Sequence, residues 1–442
     1  MTPNLPENRI LDHAEMLPRG ELQALQLKRL QKAVAHAQNI PYYQDAFAKA
    51  GILADSIQSL DDLRRLPFTT KDDLREQYPL GMLAVDRSEV LRFHGSSGTT
   101  GKPTMVAYTR NDLNMWANLC ARFLTAGGLR PEHTVQIAFG YGLFTGGFGL
   151  HYGVERVGAS VIPAAAGNTP KQVMLLMDMQ ADALVCTPSY ALTISEFIIS
   201  NDIPRDALNL KYAFFGGEPW TQDMADRIES ELGIASFNNY GLSEVIGPGI
   251  SGECIAKNGM HISEDYFIVE CINPQTLEPV APGEQGELVF TTLCREAMPI
   301  IRYRTRDIAS LNPEPCSCGR TTMRMSRVTG RSDDMLIIKG VNVYPSQIEQ
   351  ALLRVEGTAP HYQIIVDRPD RTDIATVQVE MTEELFSAGM KEMQELKEKI
   401  SRAVQGITGL RMNIELVSPN TLERFTGKAS RVKDLRREKG LI

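Results

Sequence analysis

The run Arg92-Phe93-His94-Gly95-Ser96-Ser97-Gly98-Thr99-Thr100-Gly101-Lys102-Pro103 sets three glycines, four hydroxyls and a lysine side by side. Glycine lets backbone N–H groups come close to a ligand, Ser and Thr add donors, and lysine adds a mobile positive charge. That chemistry suits a loop wrapped around a polyphosphate. It is not a Walker A loop, which needs four residues between its glycines and Ser or Thr after the lysine. Here Gly95 and Gly101 enclose five residues and Pro103 follows Lys102. Residues 90–93 and 105–108 read as strands, so the loop joins two strands instead of opening a helix.

Further runs carry chemistry in order along the chain: Phe214-Phe215-Gly216-Gly217-Glu218-Pro219, Asn239-Tyr240-Gly241-Leu242-Ser243-Glu244, Ile301-Arg302-Tyr303-Arg304-Thr305-Arg306-Asp307, Gly330-Arg331-Ser332-Asp333-Asp334 and Phe425-Thr426-Gly427-Lys428-Ala429. The first three follow expected strands, and loops after strand ends are where ligands collect in α/β proteins. A Gly-Gly pair permits close approach to a flat base, and a tyrosine can stack on it. Asp307 can accept from two ribose hydroxyls, and Glu244 offers oxygen to Mg²⁺. Read singly, Lys428 is a surface lysine, Asp307 an ion-pair partner of Arg304 or Arg306, and Glu244 a carboxylate at a helix start.

Phe139, Tyr141 and Phe144 stand among glycines, a pattern that can wall a flat apolar pocket or simply fill a core. Cys254 and His261, six residues apart, precede Cys316-Ser317-Cys318-Gly319 in a proline-rich turn. Three thiols and an imidazole suit tetrahedral Zn²⁺ in a structural role, since four protein ligands leave no open position. The alternative is four unrelated residues. Cys271 and Cys294 read as buried hydrophobes in strands.

The elements that must position these groups fit a chain of 442 residues, enough for two or three domains. A net charge of −8 argues against a nucleic-acid partner. No apolar run reaches the length of a membrane span, and the N-terminus lacks the pattern of a signal peptide. Seven cysteines without paired spacing fit a reducing cytoplasm. Residues 1–85 read as helical: Leu22, Leu25, Leu30, Val34 and Ala37 recur near helical spacing after Pro18, and Thr69-Thr70-Lys71-Asp72-Asp73-Leu74 reads as an N-cap before a short helix. Residues 90–250 alternate strands with helices, which predicts a largely parallel α/β sheet. Residues 262–310 turn to β. A boundary is expected near Asp333, dividing residues 1–332 from 333–442. The second part reads as a small α+β unit whose helix shows Met390, Met393, Leu396, Ile400 and Val404 on one face.

In order and wording these segments resemble the adenylate-forming superfamily of acyl-CoA synthetases, most closely its phenylacetate–CoA ligase branch. The resemblance runs from about residue 17 to the C-terminus. Its branch-specific parts are the Thr69 to Leu74 run, Tyr141-Gly142-Leu143-Phe144-Thr145-Gly146-Gly147, His151-Tyr152-Gly153 and Gly340-Val341-Asn342-Val343-Tyr344-Pro345-Ser346. It implies a large multi-subdomain α/β N-terminal domain and a small mobile α+β C-terminal domain, with a hinge at Asp333. It implies that Ser96, Ser97, Gly98, Thr99, Thr100, Gly101 and Lys102 hold the ATP phosphates. Gly217, Glu218, Pro219, Asn239, Tyr240 and Gly241 surround the adenine, Asp307 binds the ribose with Arg331 beside it, and Glu244 holds Mg²⁺. Lys428, Lys102 and Glu244 would be catalytic, with Phe139, Tyr141, Phe144 and Gly146 lining the acid pocket. The implied reaction makes an acyl-adenylate from an arylacetate and ATP, then a thioester with CoA. Zn²⁺ on Cys254, His261, Cys316 and Cys318, a homodimer and a cytoplasmic setting complete the expectation. Two departures stand out: Phe425-Thr426 replaces a more usual basic–Thr–Ser context, and Phe139 stands where the branch often has Tyr. Other acceptors, a carrier protein or a deazaflavin, and a non-catalytic nucleotide sensor are the competing readings.

Overall fold

The structure is a computed structural model that describes residues 7–52, 56–96, 103–339, 341–355, 357–369, 372–387, 389–423 and 431–439. Its centre is a nine-stranded sheet. Ser160–Ile162, Thr134–Ile137, Ala183–Cys186, Tyr212–Phe215 and Ala235–Leu242 run parallel. Beyond Ala235–Leu242 the sheet continues antiparallel through Gly247–Glu253, Met260–Ile262, Arg324–Met325 and Leu311–Asn312. The expected sheet is therefore parallel in one half only. The short connections from Leu242 to Gly247 and from Glu253 to Met260 leave no room for crossover helices, so Gly247–Glu253 and Met260–Ile262 turn straight back.

The parallel strands are buried on both faces. Ala183 and Val185 join one hydrophobic cluster while Leu184 and Cys186 join another, and Tyr212 and Phe214 split from Ala213 and Phe215 in the same way. Period-2 side-chain alternation with apolar residues on both faces explains these unbroken apolar runs. The helix Arg19–Ala37 starts after Pro18 and buries Leu22, Leu30, Val34 and Ala37 as expected, whereas Leu25 is only half-buried. Gln26 takes part in the buried face instead, donating to Glu264 O at 2.9 Å. Thr70 caps the helix Lys71–Glu76 with a reciprocal Asp73 contact.

A second sheet joins Phe267–Ile272, Gly286–Thr292, Tyr303–Ala309 and Gly330–Arg331, all antiparallel. After it, a four-stranded sheet of Asn413–Val417, Ile374–Met381, Thr358–Asp367 and Val432–Asp434 carries the helices Pro345–Leu353 and Met390–Thr408 over its own core. Leu396, Ile400 and Val404 are buried there at helical spacing. Met390, expected on that face, is 86% exposed because it begins the helix beyond the end of the sheet core. Cys271 is buried as expected, but Cys294 is half-buried and lies just past the strand Gly286–Thr292. Among the described residues no helix is long and apolar enough to cross a membrane.

Candidate active site

Residues 97–102 and 428 lie outside the described residues, so the site is built from what surrounds them. The strands Arg92–Gly95 and Met105–Tyr108 pair antiparallel, and the glycine-rich run joins them, as the sequence indicates. Ser96 closes its neck: Ser96 N donates to Thr104 O at 3.0 Å, and Thr104 N donates to Ser96 Oγ at 3.3 Å.

The strand ends of the two sheets converge on Tyr240 and Asp307. Tyr240 donates its hydroxyl to Asp307 Oδ2 at 2.6 Å and stacks on Phe290 at a centroid distance of 5.9 Å. Burial, reinforced by the Asp307 charge, pushes the Tyr240 phenol well above its ordinary value, so it stays a donor. Arg304 and Arg306 pair with Glu287, at 2.7 and 3.6 Å, and not with Asp307. Asp307 instead lies directly across the antiparallel pair from Arg331, whose Nη1 donates to Asp307 Oδ1 at 3.3 Å. Arg331 also grips Asp333 with two donors, each at 2.9 Å. Burial opposes the Asp333 charge, but the Arg331 hydrogen bonds and charge outweigh it and hold the carboxyl below its ordinary value. One guanidinium thus ties the expected ribose residue to the expected hinge.

Gly217 has φ +86°, and a Cβ there would stand 3.6 Å from Phe139 Cε1 and 3.7 Å from Thr187 Cγ2. The glycine supplies the left-handed turn and brings the Gly216-Gly217 segment against Phe139. Asn239 donates to Phe215 O at 2.8 Å, and Glu218 Oε1 accepts from Ser189 N at 2.7 Å. Phe139 is buried and tilts against Phe144 at 6.2 Å, while Phe144 is partly open to solvent. Gly146 lies under the Phe144 ring: a Cβ would approach its Cε1 to 2.3 Å. Tyr141 faces Phe148 edge-on at 5.2 Å and its hydroxyl lies 3.2 Å from His151 Nδ1. Burial pushes that phenol up to about 12. The structure therefore gathers Phe139, Phe144 and Gly146 beside Gly217.

Glu244 is 5% exposed, and Lys71 Nζ stands 3.4 Å from its Oε1. Arg295 fixes the turn by donating to Glu244 O at 2.7 Å. Lys71 was missed as a site residue. Its only sequence signal is its place in the branch-specific Thr69 to Leu74 run, where the cap on the following helix orients it. A buried carboxylate with an ammonium on one oxygen keeps the other oxygen able to accept a hard cation.

Cys254, His261, Cys316 and Cys318 meet at the antiparallel edge of the large sheet, with all ligand atoms within 4.8 Å of one another. Cys254 Sγ lies 3.8 Å from Cys316 Sγ, and Cys318 Sγ 3.3 Å from His261 Nε2. A tetrahedral site with metal–sulfur bonds of about 2.3 Å has edges of about 3.8 Å. His261 Nδ1 faces Thr322 Oγ1 at 3.0 Å, which leaves Nε2 for a metal. The pairing of His261 across from Arg324 sets the histidine opposite the cysteine turn. Arg320, anchored by Glu15, closes the cluster from the N-terminal side.

The family model described as AMP-binding enzyme matches residues 21–294, and that of the AMP-binding enzyme C-terminal domain matches residues 340–436. A phenylacetate-coenzyme A ligase of Thermus thermophilus is 46% identical over 96% of this chain and 98% of its own. One of Escherichia coli is 46% identical over 97% and 98%. The crystal structure of a 2-hydroxyisobutyryl-CoA ligase in the postadenylation state, in complex with R3-HIB-AMP, is 31% identical over 97% of this chain and 93% of its own, with a TM-score of 0.91. In the thioesterification state, with 2-HIB-AMP and CoA, the same ligase matches over equal shares at 32% identity with a TM-score of 0.71.

Proposed function

The chain belongs to the AMP-binding enzyme family, within its phenylacetate–CoA ligase branch, and we propose that it activates an arylacetate, phenylacetate first, with ATP and passes it to CoA. It is an AMP-forming acid–thiol ligase that works in two steps. A carboxylate oxygen of the acid attacks the α-phosphorus, the bond to pyrophosphate breaks, and an acyl-adenylate remains. The CoA thiolate then attacks the acyl carbonyl, and AMP leaves with the oxygen that came from the acid.

The observation that carries this reading is the approach of the Gly217 turn to Phe139, where a side-chain Cβ would stand 3.6 Å from the ring. It sets the nucleotide-side turn, with Asp307, Tyr240 and Arg331 beyond it, against an apolar aromatic wall. Asp307 takes the ribose hydroxyls, with Tyr240 and Arg331 holding its carboxylate in place. Gly217, Glu218, Pro219, Asn239, Tyr240 and Gly241 frame the base. Residues 96–102 hold the phosphates. Phe139, Phe144, Tyr141 and Gly146 receive the aryl ring.

The first step brings an anion onto an anion, so its barrier is dominated by accumulating charge. Lys428 and Lys102 supply cations to that charge, and Lys71 adds a third next to Glu244. Glu244 would hold Mg²⁺, which when bound offsets the charge on the phosphate oxygens. Cys254, His261, Cys316 and Cys318 would hold Zn²⁺ as a structural tie with no open position.

The second step has no use for Lys428, so the small unit must turn about Asp333 to present another face. The fall in TM-score from 0.91 to 0.71 at equal coverage is what a shifted small unit on a shared frame produces. It supports an arrangement of this chain close to that of the postadenylation state.

The test is a substrate panel with ATP, Mg²⁺ and CoA: phenylacetate, 4-hydroxyphenylacetate, indoleacetate, benzoate and a medium-chain fatty acid, with AMP and thioester followed by mass. Phenylacetyl-CoA with equal AMP is expected. AMP or a trapped adenylate without thioester would move the acceptor away from CoA.

A further inference from the structure

Arg431 lies three residues beyond Lys428 in the sequence and is held at both its backbone and its side chain. Its carbonyl accepts from Ile364 N at 2.7 Å, where the strand Val432–Asp434 enters beside Thr358–Asp367. Its guanidinium stands 3.4 Å from Glu349 Oε1 and 4.4 Å over the Tyr362 ring. The two side chains keep only 14% and 9% of their exposure. Taking two charges out of water costs more than packing apolar groups of the same size, so such a pair is a poor way to gain stability. What a buried, directional pair does supply is one defined arrangement.

That arrangement faces the large unit. Glu349 sits on the helix Pro345–Leu353, which packs beside the helix Gln222–Leu232. Arg354 Nε reaches Asp223 Oδ2 at 2.9 Å and His361 Nε2 reaches Glu196 Oε2 at 3.5 Å across the same face. Glu218, from the Gly-Gly-Glu-Pro turn, adds its negative charge to the cluster. Burial pushes the Glu349 carboxyl up, Arg431 pulls it back, and Glu218 pushes it up again. The same Glu218 charge favours the Arg431 cation.

We propose that Arg431 is a positioning residue for the first half-reaction: clamped between Glu349, on the helix that packs beside Gln222–Leu232, and Tyr362, it holds the small unit's end of the segment that carries Lys428. Three peptide units span at most about 11 Å, so chain length alone couples the Arg431 anchor to the reach of Lys428. The inference rests on Lys428 serving adenylation, as proposed above. Arg431 therefore matters while the small unit keeps this arrangement and not after it has turned.

The test separates the half-reactions of the full-length protein. Adenylation is read by exchange of labelled pyrophosphate into ATP with phenylacetate, and thioester formation by adding CoA to synthetic phenylacetyl-adenylate. Arg431→Ala is expected to lower exchange about tenfold or more while leaving the second step within about twofold. Arg431→Lys, which keeps the charge without the fork, is expected to recover part of the loss. Glu349→Gln is expected to give the same selective loss to a smaller degree, and carries the test if Arg431→Ala does not fold. Equal losses in both half-reactions, or none in either, would overturn the proposal. An unaltered protein that exchanges no pyrophosphate with any arylacetate would instead remove the functional reading on which it rests.

Discussion

Arg331 holds Asp333 in a two-pronged ion pair, Nε and Nη2 each 2.9 Å from one carboxylate oxygen, while its remaining nitrogen reaches Asp307. The residue that steadies the expected ribose carboxylate therefore also grips the expected pivot. Arg331→Gln should raise the KM for ATP about thirtyfold, the equivalent of about 2 kcal/mol for charge-assisted hydrogen bonds lost in a half-buried setting. Initial-rate kinetics on a variant with an unchanged melting temperature check this. An unaltered KM would mean that Asp307 needs no support from Arg331.

Lys71 offers a second handle. Its ammonium lies 3.4 Å from Glu244 Oε1, a carboxylate that is itself buried. Lys71→Met should lower pyrophosphate exchange about 10²-fold, as removal of one preorganised electrostatic group does, measured on protein shown to be folded because the variant leaves Glu244 without its cation. Exchange within twofold of the unaltered protein would reduce Lys71 to a surface ion pair.

The four-ligand cluster makes a compositional claim. Metal analysis after dialysis should find about one zinc per chain, and Cys318→Ser should lose it together with about 5–10 °C of melting temperature. Less than about a tenth of a zinc, with no loss of folding, would leave four buried polar residues and no metal site.

Acid strength acts through two buried imidazoles. Burial holds His94 and His133 below their ordinary value of 6.5. In the unfolded chain both take up protons near pH 6.5, so below that pH the unfolded state binds more protons than the native one. Their contribution to stability is complete above the unfolded value and is lost as pH falls through the depressed native values. His94 is ringed edge-on by Tyr108, Trp116 and Phe148, and its Nδ1 lies 3.0 Å from Leu143 O. The urea midpoint should fall from pH 7 to pH 5.5, and His94→Phe should flatten that slope. An unchanged slope would show that His94 does not drive it.

The acid pocket gives a selectivity. Phe139 is buried against Phe144 and Gly217 and offers no hydroxyl. Phenylacetate should exceed 4-hydroxyphenylacetate in kcat/KM, and Phe139→Tyr should narrow the ratio, because an unpaired phenol in an apolar wall pays its desolvation. A clear preference of the unaltered protein for the phenol would contradict this.

Much of this site is legible in the chain because each motif is local. The glycine run between two strands, Asp307 within the strand Tyr303–Ala309 and the Cys-x-Cys turn carry their chemistry in neighbouring residues. Gly217 reads as a glycine for close approach to a base, and the structure gives it a left-handed turn, φ +86°. Lys71 beside Glu244 is not legible, since only folding brings the N-terminal helical segment to the strand end after Tyr240. The antiparallel half of the large sheet is hidden for a related reason. Gly247–Glu253, with three glycines and a proline, carries no strand pattern in its sequence, and the brevity of its connections to Ala235–Leu242 and Met260–Ile262 sets the antiparallel direction. Arg431 and Glu349 likewise read as ordinary charged surface residues until the small sheet buries them together.

The most direct measurement follows the oxygen. Phenylacetate labelled with ¹⁸O in its carboxylate is turned over with ATP and CoA, and the AMP is weighed. Attack of the carboxylate on the α-phosphorus requires one heavy oxygen in AMP and none in pyrophosphate. Unlabelled AMP, or label appearing in phosphate beside ADP, would contradict the adenylate route on which the whole account depends.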